Sequence, residues 1–92
     1  MFLMIKRRRK LNKDFEKKIH SSKKNVELVL AKIYDIDDED IQKEYMSAFN
    51  GVVCFYDELK EDYEQKGFND NSDELLANYE KAFNLFKSEF EI

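Results

Sequence analysis

Gly51-Val52-Val53-Cys54-Phe55-Tyr56 decides the fold, because it is the stretch that reads two ways. Its β-branched and aromatic residues suit a strand, and an apolar run this short does not by itself separate a strand from buried helix. The flanks separate them. From Ile41 onward, Tyr45, Ala48, Phe49, Val52, Val53, Phe55, Tyr56, Leu59 and Tyr63 recur at helical spacing over an arc of about 160°, and Gly51 to Tyr56 keeps that phase. The stretch is read as helix, and so wide an arc predicts a central helix with two neighbours. Gly67 is the expected stop, since a helix end commonly needs a backbone conformation that glycine adopts without steric cost.

Upstream, Leu11, Phe15, Ile19, Val26, Val29, Leu30 and Ile33 fall in one stripe about 100° wide. The phase survives from 11 to 33, which predicts one long helix. Ser22 is the stripe's polar member, and a break near Ser21-Ser22 would give four helices in place of three. Between the first two helices, Asp35-Ile36-Asp37-Asp38-Glu39-Asp40 offers Asp37 as N-cap and acids for a first turn, where the helix dipole favours them. Downstream, Phe68 to Ser72 is a polar loop, with Ser72 or Asn71 as N-cap and Glu74 spaced for a capping box with Asn71. Leu75, Leu76, Tyr79, Ala82, Phe83, Phe86 and Phe90 then form a third stripe. Short connections join antiparallel neighbours, so the expected fold is all-α: an up-down-up three-helix bundle with a shorter third helix, in one domain spanning 1–92. No proline and two glycines leave little to interrupt it.

A single cysteine, Cys54, excludes an internal disulfide framework and fits a reducing compartment. Met1 to Ile5 is apolar but is followed, not preceded, by the basic run Lys6 to Lys10, and is too short for a signal peptide. No stretch reaches the roughly 18 apolar residues of a membrane span. The expectation is a cytoplasmic protein with no membrane association. Thirteen lysines against three arginines, with seven asparagines, resemble the codon bias of an AT-rich genome.

Charge is uneven. Residues 1–24 hold ten Lys and Arg against two acids, a net +8, while 25–92 hold six against eighteen, a net −12, giving −4 overall. This predicts a basic N-terminal arm over 1–10 and an acidic body. Lys6, Arg7, Arg8, Arg9 and Lys10 could grip phosphates or an acidic protein surface, for which the guanidinium fork is suited. The favoured alternative is intramolecular, with Lys10, Lys13 and Lys17 opposite Asp57, Glu58, Glu61, Asp62 and Glu64 across an antiparallel hairpin. Such exposed pairs are individually weak but select the pairing. The acid-rich stretches 35–40 and 57–64 could mimic nucleic-acid phosphates, although runs of this kind are more often solvated helix faces.

Catalytic and metal chemistry find little support. A calcium loop from Asp35 needs Gly sixth and Glu twelfth but meets Asp40 and Met46, and from Asn69 the sixth residue is Glu74. His20 is the sole histidine and lies opposite its helix's apolar stripe. One His and one Cys cannot build a zinc site, and no oxyanion donor accompanies a Cys54–His20 pair. No cofactor is expected. Cys54 lies opposite the centre of the second helix's stripe, beside Lys43, Asn50 and Glu61. Because Val53 and Phe55 flank it, the favoured expectation is that a neighbouring helix covers it. Otherwise Cys54, with Gly51 and Ser47, marks a patch where another chain packs.

These observations point to a non-enzymatic protein–protein binding module, such as a small cytoplasmic inhibitor, immunity or antitoxin-like factor of an AT-rich bacterium or its mobile element. The basic run and Cys54 are the candidate partner-binding residues. The runner-up is a nucleic-acid-binding regulator acting through the arm, or an acidic nucleic-acid mimic. Homo-oligomerisation stays open.

Overall fold

Three helices account for most of the chain in the computed structural model, which describes residues 10–90: α1 (Lys13–Tyr34), α2 (Glu39–Lys66) and α3 (Ser72–Phe90). They run up, down and up, as the three stripes predict, and the described residues contain no strand. Gly51 to Tyr56 lies in the middle of the unbroken α2. α1 does not break at Ser21-Ser22. The Ser22 hydroxyl donates to the Lys18 carbonyl at 2.8 Å, one turn back, so the buried serine is satisfied inside the helix.

The core takes Phe15, Val26, Val29 and Ile33 from α1, Phe49, Val52, Tyr56 and Leu59 from α2, and Leu76, Tyr79 and Phe86 from α3. Rings dominate the α2–α3 seam: Tyr45 meets Phe90 at 4.7 Å between centroids, Phe49 meets Phe86 at 4.8 Å, and Tyr56 meets Tyr79 at 6.1 Å. Such edge and tilted pairs add to the stabilisation from burial alone. α1 packs on α2 chiefly through aliphatic side chains, with Phe15 against Tyr63 and Phe68 at one end. Between α1 and α3 a cleft of about 540 Å³ stays open beside Ser22, and the Tyr79 hydroxyl crosses it to donate to the Ser22 carbonyl at 3.3 Å. A serine at this crossing is too short to fill the space that a longer apolar residue would.

The helix ends depart from expectation in four places. Leu11 is 66% exposed and precedes the helix, so core contact begins at Phe15, and Asn12 caps α1 by accepting the Phe15 N–H at 3.0 Å. Asp38, not Asp37, caps α2: its backbone is extended, and its carboxylate accepts the N–H groups of Asp40 and Ile41. The end of α1 runs past Ile33, the last residue of its stripe: the helix continues to Tyr34, Asp35 remains bonded to its final turn, and Ile36 donates back to Ile33. In the second link the Ser72 hydroxyl turns back to accept the Asn69 N–H at 2.9 Å. Asn69, rather than Asn71 with Glu74, organises this turn, bonding Asn71 N–H, the Gly67 carbonyl and the Asp62 carboxylate. Gly67 ends α2 as expected, at φ 73° and ψ −163°, a region that only glycine enters readily.

Candidate protein-binding face

α2 is amphipathic over a wider arc than its two neighbours cover. α3 seals Val52 and Tyr56, α1 lies on the Met46 and Val53 side, and the remaining edge, Ala48, Gly51 and Phe55, stays exposed. Alongside it on α3 stand Ala82 and Leu85. Two adjoining clefts of about 200 and 310 Å³ run between the helices here, sharing Phe55, Ala82 and Leu85, with buried Val52 and Phe86 forming the floor of the first. Phe55 is 38% exposed and Leu85 57%. A Cβ added to Gly51 would meet no atom within 4 Å, so the glycine leaves a gap in the surface and is not there to admit a neighbour of its own chain. Asn78, Lys81 and Glu89 border the clefts. An apolar strip on two helices with a polar border has the anatomy of a protein-binding surface.

Cys54 is exposed, contrary to the expectation that a helix covers it. At 100° per residue it lies about 60° around α2 from Gly51, on the side away from α3, and it lines neither cleft. Flanking apolar residues misled because Val53 and Phe55 point to opposite sides of the helix and leave the arc between them in solvent. Ser47 and Gly51 are exposed too. Of the small patch around Cys54, Gly51 therefore joins the clefts and Cys54 borders them.

Lys6, Arg7, Arg8 and Arg9 lie outside the described residues. Lys10 belongs to the body of the fold at its backbone: its carbonyl accepts the Phe68 N–H at 2.7 Å in a bridge with Gly67, and its ammonium stands 5.9 Å from the Phe68 ring centre. The expected ion pairs from Lys10, Lys13 and Lys17 to Asp57, Glu58, Glu61 and Asp62 are not formed. Among the described residues the ion pair is Lys66–Asp62, at 3.3 Å within α2. Hydrogen bonds fix the register instead. The Tyr63 hydroxyl accepts Asn12 N–H at 3.0 Å and donates to the Glu16 carboxylate at 2.6 Å, while Gln42 donates to the carbonyls of Ile33 and Tyr34 at the other end. Lys17 instead lines the α1–α3 cleft.

His20 is exposed, and no three His, Cys, Asp or Glu side chains among the described residues gather to hold a metal ion. No described helix is long and apolar enough to cross a membrane. Tyr56 and Tyr79 have raised pKa values. For both, burial is the largest cause; the charges of Asp57, Glu27 and Glu64 add to it at Tyr56, and that of Glu80 adds to it at Tyr79.

Sequence reasoning assigned Phe55 to the core arc and passed over Leu85. The legible signal was Leu85 itself, a large apolar residue off the Leu76, Tyr79, Phe83 and Phe86 stripe. Fold and face together define a small helical module with an unfilled apolar strip. No protein-family model matches the chain, and neither a curated protein nor a solved structure matches it.

Proposed function

We propose that this protein is a non-enzymatic protein-association module and that the strip between α2 and α3 is its docking surface. The observation carrying this reading is the pairing of exposed Phe55 and Leu85 over adjoining apolar clefts. Covering those side chains with protein removes apolar area from water at roughly 25 cal/mol per Å², which gives the face a reason to be occupied. The finer role of an inhibitor, immunity or antitoxin-like factor rests on size and composition. Cys54 provides a test, since it borders the strip without lining it. A photo-crosslinker attached there should capture a protein when the labelled chain is returned to cells of its source, and Leu85→Glu or Phe55→Glu should abolish the adduct while helicity is kept. An adduct unaffected by either substitution would show that the strip is not the docking surface.

A further inference from the structure

Resting on that reading of the strip, we infer that its occupant is a second copy of this chain, related by a two-fold axis passing close to Leu85. Lys81 and Glu89 stand one turn to either side of Leu85 on α3, and both are exposed. Helical residues four apart share a face, so the three form one ridge bordering the clefts. A two-fold axis across this ridge sets α3 antiparallel to its copy. Leu85 then meets Leu85, and Lys81 of each chain meets Glu89 of the other, giving two charge pairs from one self-complementary surface. Any other partner helix would need an acid and a base in the matching order, which this chain already carries.

α2 accommodates the same axis. The ring pairs Phe49–Phe86 and Tyr45–Phe90 set Leu85 level with the stretch of α2 near Phe49. Rotation about that level carries Phe55, whose side chain leans toward the helix N-terminus, over Ala48 of the second copy beside the gap at Gly51. A large ring facing small residues is the shape that helix packing requires. From Asn78 to Glu89 the ridge runs about 17 Å, and two helices give a width of about 20 Å. A face of that extent, roughly 340 Å² on each partner, is smaller than a standard specific interface, so the dimer is expected to be weak, dissociating at about 100 µM.

Sedimentation velocity on the full chain from about 1 to 500 µM measures the association and its strength. The wild type should move from the chain's 11.1 kDa toward twice that mass. Leu85→Glu should weaken dimerisation at least about 30-fold, as loss of a central interface anchor does. Lys81→Glu and Glu89→Lys should each weaken it about tenfold, while an equimolar mixture of those two variants should form a heterodimer as tight as the wild-type dimer, because both contacts are again of opposite sign. Circular dichroism confirms that each variant keeps its helices. A wild type monomeric at 500 µM, or a dimer indifferent to Leu85→Glu, or charge variants that do not rescue one another, would overturn the inference. A monomeric wild type whose Cys54 adduct contains a different protein and is lost in Leu85→Glu would overturn it while leaving the docking role of the strip intact.

Discussion

The two seams of α2 are built differently. Toward α3 it presents a run of edge-on and tilted ring pairs around fully buried Phe49; toward α1 it presents aliphatic contacts, with polar ties at the two ends, at Tyr63 and at Gln42. The α2–α3 hairpin is thus held along its length, whereas α1 is held most specifically at its ends, with the open cleft beside Ser22 between it and α3. Aromatic area supplies the adhesion of one seam and directional bonds set the register of the other.

This contrast predicts its largest effect at Phe49. Phe49→Ala empties a site with no solvent exposure and two ring partners on α3, and should cost about 3–5 kcal/mol in urea unfolding. A loss below about 1 kcal/mol would show that the ring seam does not dominate.

Tyr63→Phe keeps the ring against Phe15 but removes the hydroxyl that joins Asn12 to Glu16. A loss of about 1–2 kcal/mol is expected. Amide exchange should quicken in α1 before α2 or α3, and uniform acceleration across all three helices would contradict an α1 held by its ends.

Gly51→Ala sharpens the comparison from the uncovered side of α2. A methyl group there meets nothing and restores helix propensity, so the monomer should gain about 0.5–1 kcal/mol. Destabilisation at concentrations where the chain is monomeric would mean that the gap is already filled.

The smallest effect concerns Tyr79, which spans the α1–α3 cleft. Burial raises its pKa and that of Tyr56 in the folded chain, so on raising the pH the unfolded chain releases these protons first, near the ordinary value of 10.0. Stability is held in full below that pH and declines as the pH climbs through the raised folded values. Tyr79→Phe should cost under about 1 kcal/mol at neutral pH, its hydrogen bond being long at 3.3 Å, and should flatten the alkaline decline seen in thermal melts above pH 10. An unchanged decline would place the titration elsewhere.

The sequence by itself determined the three helices, their order and most of their buried faces, because a 3.6-residue period is written locally and any core must use it. It also determined the stop at Gly67, since a backbone at φ 73° and ψ −163° leaves almost no alternative to glycine. Only the tertiary structure decided how much of the α2 arc is covered. That depends on where two neighbouring helices sit around α2, which no periodicity within α2 encodes, and the same apolar spacing therefore describes buried Phe49 and exposed Phe55. The charge pattern overstated the hairpin ion pairs for a related reason. Opposite signs on two helices become contacts only if the side chains face each other, and here the Tyr63 bonds and the packing of Phe15 set the rotation of α1, which turns Lys17 toward the α1–α3 cleft and away from α2.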